Sequence, residues 1–273
     1  MGVSFCWAGL HDWSTWLPYQ AGTQAQARMC ARCGKIERDG VETPSKRDRM
    51  EEKVSYRLFV GATERYDVMA AMTFNLLTTL GLREGHKVLD IGCGSLRNGR
   101  LLIPYLNRGN YTGFDPNPWL VKEALKNETG SDIVRIKKPT FIFSKNPDDV
   151  DPALRFDFAF AHAIFCHAPL SLLRAWLKKL SSALGDNGAF AVSFRIGDED
   201  YTGDTWTYPG MIYYKMDTVR GYAEEFGFRF QELDWRHPAQ HVWTLYAKPG
   251  FDTSWFADQS LTWNRRIDTD ASY

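Results

Sequence analysis

Four groups of residues have the types and spacing to do chemistry. The first is Val88-Leu89-Asp90-Ile91-Gly92-Cys93-Gly94-Ser95, an apolar run that ends in an acid and two glycines flanking one residue. Such a run is a buried strand whose backbone turns sharply at its carboxyl end and admits a ligand without interference from Cβ atoms. About twenty residues on, Gly113-Phe114-Asp115 ends a second strand in a carboxylate placed to accept hydrogen bonds from a ribose diol. The second group is His162 and His167, in FDFAFAHAIFCHAP. Each offers an imidazole that titrates near neutrality and can take a proton from a hydroxyl. The third is the run 197–214, GDEDYTGDTWTYPGMIYY, where Trp206, Tyr208, Tyr213 and Tyr214 offer flat apolar faces with polar tips. Those suit a sugar or an aromatic ring, and Trp235, Arg236 and His237 are further candidates for the same wall. The fourth is Cys6, His11, Cys30 and Cys33, with Cys30-Ala31-Arg32-Cys33 at the spacing that brings two thiolates to one metal. Together they would close a tetrahedral structural zinc site in a module too small to fold by apolar burial alone. A redox pair is the alternative for the two close cysteines, but no thioredoxin-like strand precedes them.

The ligand of the first group follows from what comes after Gly94. A dinucleotide fingerprint needs G-x-G-x-x-G, and here Ser95-Leu96-Arg97-Asn98 intervenes before Gly99, two places late. The fingerprint fails. An acid directly before the glycines also repels a pyrophosphate, yet it suits a cationic sulfonium ligand that carries an ammonium group. S-adenosylmethionine has that chemistry.

Positioning these residues requires strands that alternate with helices. Met69, Met72, Leu76 and Leu80 recur at steps of three and four and predict a helix from Tyr66. Strands are predicted at 87–91, 111–114, 141–143, 156–161 and 189–194, with helices at 97–106, 118–126, 169–184 and 217–226. The helix at 169–184 has Pro169 in its first turn and Leu173, Trp176, Leu177, Leu180 and Leu184 along one side. Two closing strands, near 228–235 and 242–247, look like a hairpin that adds one antiparallel strand. The fold class expected is therefore α/β, a Rossmann-like doubly wound, mostly parallel sheet with a C-terminal antiparallel hairpin and a small N-terminal zinc-binding module. The run 35–53 holds six basic and six acidic side chains and almost nothing apolar, as a solvated linker or an exposed helix start would. The domains expected are a zinc module at 1–34, a linker at 35–58, the main domain at 59–250 and a tail at 251–273.

Composition narrows the classes. The chain has 273 residues, 44% of them hydrophobic and 24% charged, which excludes disorder, collagen and coiled coil. No apolar run approaches the roughly 18 residues of a membrane span, and the N-terminus has no basic region ahead of an apolar one. Lys+Arg 33 balance Asp+Glu 33, so the usual electrostatic case for a dedicated nucleic-acid binder is missing. A cytoplasmic protein with no membrane partner is expected. Five cysteines, an odd number unevenly placed, do not make a disulfide framework.

At these residues the chain resembles the class I S-adenosylmethionine-dependent methyltransferases, over about residues 60–248. VLDIGCGS resembles the first motif of that family, which implies Gly92, Cys93 and Gly94 against the cofactor and Asp90 near its amino-acid end. YTGFDPN resembles the second, implying Asp115 on the ribose and Pro116 and Asn117 beside the adenine. FDFAFAHAIFCHAP and GAFAVSF resemble the fourth and fifth strands, and Leu89 to Leu120 is similar to an uncharacterised bacterial and phage-type subgroup. The third strand, TFIFSKN, lacks the acid that the family sets against the adenine amine. AHAIFCHAP has neither the Asn/Asp-Pro-Pro-aromatic turn of nucleic-acid amino-methyltransferases nor the Pro-Cys of cytosine C5 enzymes. Cys166 then reads as a small buried hydrophobe. The resemblance implies transfer of a methyl group, with a hydroxyl on a small molecule or glycan favoured as acceptor by the neutral charge and the aromatic run. Two alternatives differ in class. One is methylation of a nucleic acid or protein targeted by the zinc module; the other is a non-catalytic accessory that binds zinc and cofactor.

Overall fold

The central strands are apolar on both faces because helices cover both. The structure is a computed structural model that describes residues 17–18, 26–29, 36–39, 56–61, 65–130 and 132–254. After helix α1 (Tyr66–Thr79) come β4 (Val88–Ile91), α2 (Gly99–Tyr105), β5 (Tyr111–Phe114), α3 (Pro118–Ala124), α4 (Asp132–Lys137) and β6 (Thr140–Ile142). The chain continues through β7 (Phe156–Ala161), α5 (Leu170–Ala183), β8 (Leu184–Phe194), α6 (Met216–Glu225), β9 (Arg229–Leu233) and β10 (Val242–Ala247). These strands form one seven-stranded sheet in the order β6-β5-β4-β7-β8-β10-β9. From β6 to β8 all pairings are parallel, whereas β10 is antiparallel to both of its neighbours. The expected closing hairpin is present, and its second strand inserts between β8 and the first.

Side chains alternate between two cores. Val88, Phe158, Phe160 and Ala191 pack with Met72 and Leu76 of α1 and Leu102 of α2 on one face. Leu89, Ala159, Ala161 and Phe190 pack with Leu173, Trp176, Leu177 and Leu180 of α5 on the other. The apolar stripe of α5 was thus readable at helical spacing, although Leu184 at its end opens β8 instead. Strand β8 starts five residues before the predicted 189, because Leu184 pairs with Phe156 and the register then shifts so that Ala189 meets Phe158. Helix α4 was not predicted, and it buries none of its residues, so it carries no apolar period to read. Among the described residues no helix is long and apolar enough to cross a membrane.

Nearer the N-terminus, β1 (Leu17–Pro18), β2 (Gln26–Met29) and β3 (Ile36–Asp39) form a separate antiparallel sheet in that order. Strand β3 lies inside the charged run read as linker. Its charges pair across strands: Arg28 and Glu37 stand opposite each other, and the guanidinium donates to Glu37 Oε2 at 2.6 and 2.9 Å. Cys6, His11, Cys30 and Cys33 lie outside the described residues.

Candidate active site

The carboxyl ends of β4, β5 and β7 meet at one edge of the sheet, where open α/β folds bind ligands. Beyond β4 the chain turns through Gly92 (φ +76°) and Gly94 (φ +47°). A Cβ at Gly92 would stand 2.1 Å from Ile164 Cδ1, so only glycine lets this loop pass the segment after β7. Gly94 N–H donates to Asp115 Oδ2 at 2.9 Å, and Asp115 Oδ1 accepts from Asn117 N and Nδ2 at 2.8 and 3.0 Å. The second acid is thereby fixed to the first loop and to the start of α3, and burial raises its pKa against those hydrogen bonds. Pro116 is exposed and Asn117 half-buried.

Asp90 is fully buried and accepts from Tyr111 Oη at 2.7 Å. Burial pushes its pKa up to about 7, opposed by the Tyr111 hydrogen bond. The late glycine of the motif belongs to this contact. A Cβ at Gly99 would meet Tyr111 Oη at 2.6 Å and block the tyrosine from reaching Asp90. Cys93 points inward, its sulfur 2.8 Å from where a Cβ of Gly113 would be, and burial pushes its thiol pKa well up. Its backbone N–H, 3.1 Å from Phe114 O, is what it lends to the loop. Cys166 is wholly buried and held at a pKa of about 12 by that burial, as a small hydrophobe would be.

The two histidines after β7 differ sharply. His162 Nδ1 lies 2.8 Å from Thr73 Oγ1, and its Nε2 lies 2.9 Å from His237 Nε2. Ala239 N–H donates to His237 Nδ1 at 3.1 Å, so His237 carries its proton on Nε2 and donates to His162. His162 must then donate from Nδ1 to Thr73, whose hydroxyl donates to Met69 O at 3.0 Å. Every donor meets an acceptor, both rings are neutral, and His162 keeps no free lone pair. His241 stacks on His237 at 4.3 Å, and burial lowers the pKa of all three. His167 is arranged otherwise. Its Nδ1 lies 2.7 Å from Gly210 O, which can only accept, so the proton sits on Nδ1 and the lone pair on Nε2. Burial pulls its pKa down to about 4, with the Gly210 hydrogen bond opposing, so the ring is neutral at pH 7.

The long loop 195–215 divides its aromatics between roles. Tyr208 and Trp206 lie against the His167 ring with centroids 5.0 and 5.9 Å away. Thr207 N–H donates to His167 O at 2.9 Å and pins the loop there. Tyr213 turns outward, its ring 5.2 Å from the Arg195 guanidinium carbon. Tyr214 is fully buried and donates to Ala168 O at 2.7 Å, which makes it core beneath the loop rather than an exposed face. Trp235 is also buried, donating to Met72 O at 3.3 Å, and Arg236 is exposed.

Sequence reasoning missed a strap over the glycine loop, residues 56–61, with a short turn at Leu58–Val60. Arg57 Nε and Nη2 donate to Glu128 at 2.5 and 2.7 Å, joined by Tyr56 Oη at 2.8 Å. Phe59 packs edge-on against Trp119 at 5.3 Å and accepts from Tyr208 Oη on its carbonyl at 2.5 Å. Val60 rests on Gly94, where a Cβ would come within 3.0 Å of it. Arg97, also missed, donates from Nη1 to Val60 O at 3.1 Å. A basic residue between a loop and a helix carries no sequence signal of burial, and neither does a short segment without periodicity.

Residues 89–190 match the family model described as a methyltransferase domain. The chain is 28% identical over 142 residues to a sterol 24-C-methyltransferase of Aspergillus fumigatus, covering 51% of this chain and 36% of that protein. A protein of Nostoc punctiforme, provisionally classed as an O-methyltransferase, superposes with a TM-score of 0.53 at 19% identity, covering 71% of this chain and 60% of that one. At that identity the likeness shows the fold. Strand order, glycine loop and the acid that follows β5 define a Rossmann-like domain, a fold whose ligands bind at the carboxyl edge of the sheet. The family match runs from Leu89 to Phe190, across the strands β4 to β8 that carry the glycine loop and the acid after β5. The chain spans 36% of the length of the sterol enzyme it matches. The residues present fit S-adenosylmethionine: a bare glycine loop with a Cβ clash at Gly92, a buried carboxylate, Asp115, just past β5, and a second buried acid, Asp90, beside the loop.

Proposed function

We propose that the protein methylates a hydroxyl on a small molecule or glycan, with His167 Nε2 as the proton acceptor. The observation that carries this reading is the locked tautomer of His167: Gly210 O holds the Nδ1 proton, leaving a neutral nitrogen lone pair beside Tyr208 and Trp206. Asp115 would take the ribose diol and Asp90 the ammonium end of the cofactor, with Gly92, Cys93 and Gly94 presenting backbone and Pro116 and Asn117 flanking the adenine. S-adenosylmethionine supplies an electrophilic methyl group when bound. The protein's share is alignment of the acceptor oxygen, exclusion of water by the strap and the long loop, and removal of the hydroxyl proton. Trp206, 47% exposed, and Tyr208 would form the acceptor wall; Tyr213 would extend it outward.

We further propose that Cys6, His11, Cys30 and Cys33 hold a structural zinc ion. Strands β2 and β3 pair as far as Met29 opposite Ile36, so the six residues from Cys30 to Lys35 join the two strands. The spacing of Cys30 and Cys33 is one at which two thiolates meet one metal. The acceptor class is tested by offering methyl-labelled cofactor with phenols, glycans, RNA and protein in parallel. Label on a phenol or glycan hydroxyl is expected, and label on nucleic acid or protein alone would overturn the reading.

A further inference from the structure

Strand β6 ends the seven-stranded sheet, so no further strand of that sheet covers its outer edge. A groove of about 620 Å³ lies on this flank, within the size range of small-molecule sites. One wall is a stripe at helical spacing, Val121 and Leu125 with Lys122 and Lys126 beside them, on α3 and the wide turn after it. Phe141 and Phe143, two residues apart at the end of β6, form another wall. Their rings lie 11° from parallel with centroids 6.3 Å apart. Val134 of α4 adds to the lining at 37% exposure, and Phe143 is 49% exposed. Apolar side chains this open, gathered around one hollow, mark a binding surface.

The only charged side chains in the lining are the two lysines, both exposed. Glu128 and Asp132 are held by Arg57 and Arg135, and among the described residues neither lysine has an ion-pair partner. An apolar hollow edged by cations alone complements a ligand with an apolar body and one anionic end. A second copy of the chain presenting the same face would set lysine against lysine. We propose that the groove binds a long-chain carboxylate, with the alkyl chain on Val121, Phe141 and Phe143 and the head between Lys122 and Lys126. The lining shares no residue with the glycine loop, Asp115 or the His167 wall, so the inference stands apart from the cofactor reading.

The test is calorimetry on the full chain with decanoate, dodecanoate and dodecyltrimethylammonium, each kept below its micelle-forming concentration. Dodecanoate should bind at one site per chain, decanoate about tenfold more weakly for its two fewer methylenes, and the cationic chain not at all. Lys122→Glu combined with Lys126→Glu should weaken dodecanoate about tenfold, as should Phe143→Ser, with Tm unchanged because all three side chains are exposed. No binding of dodecanoate, or equal binding of the two dodecyl chains, would overturn the proposal. So would unchanged affinity in both variants, which would put the chain elsewhere on the protein. Displacement of dodecanoate by S-adenosylhomocysteine would overturn it too, since the groove would then be part of the cofactor site. Sedimentation with phosphatidylglycerol vesicles, without binding of monomeric dodecanoate, would assign the surface to a membrane instead.

Discussion

His167 can act as a base because of a carbonyl 43 residues away along the chain. With Nδ1 committed to Gly210 O, the other nitrogen holds the lone pair, and a ring with a pKa of about 4 is deprotonated across the working range. The variant His167→Ala should lower turnover about 10²–10⁴-fold while S-adenosylhomocysteine affinity stays within about twofold. The sign of the pH effect follows from the downward shift. The base form is lost only as pH falls toward 4, so the limb assigned to this group should be flat from pH 5 upward. A limb with a midpoint near 6.5, or a variant that turns over normally, would remove His167 from the chemistry. The sequence makes both histidines legible as candidates by type and position. It cannot separate them, because the tautomer of His162 is set by Thr73 and His237, which the fold alone brings together.

At the scale of elements, the strap 56–61 is the part whose removal is most informative. Glu128, in the wide helical turn after α3, holds Arg57 and Tyr56 and so ties the strap to the domain. Arg57 and Arg100 both lie over the Tyr66 ring, at 4.6 and 5.2 Å, which braces the same corner. Glu128→Ala loses charge-assisted bonds of roughly 1.5–3 kcal/mol, part of which returns as Arg57 is solvated. Amide exchange in 56–61 should then speed up and S-adenosylhomocysteine affinity drop by about tenfold. Faster exchange with unchanged affinity would mean that the strap is no wall of the pocket. The strands β5 and β7 were legible to the residue because they are short apolar runs bounded by turn signals. The strap and α4 were not, since neither buries a periodic face. Strand β3 was hidden in a charged run whose pairing depends on a partner strand.

For the whole molecule, the described strands form two sheets, one of three strands and one of seven. Elemental analysis should find about one zinc per chain, because four such ligands close one tetrahedral shell. Cys33→Ser should lose the metal and leave cofactor affinity unchanged, as the main sheet has its own two cores. A metal-free wild type would dismiss the four residues as a site, and loss of cofactor binding with the zinc would join the two parts into one. The central claim, that the carboxyl edge of the seven-stranded sheet holds S-adenosylmethionine, is tested most directly by calorimetry on the wild type and Asp115→Ala. The wild type should bind S-adenosylmethionine and S-adenosylhomocysteine at one site per chain, and the variant should bind both roughly 10–100-fold more weakly through loss of the ribose acceptor. Preferential binding of a nicotinamide dinucleotide by the wild type, or affinities unchanged in the variant, would contradict it.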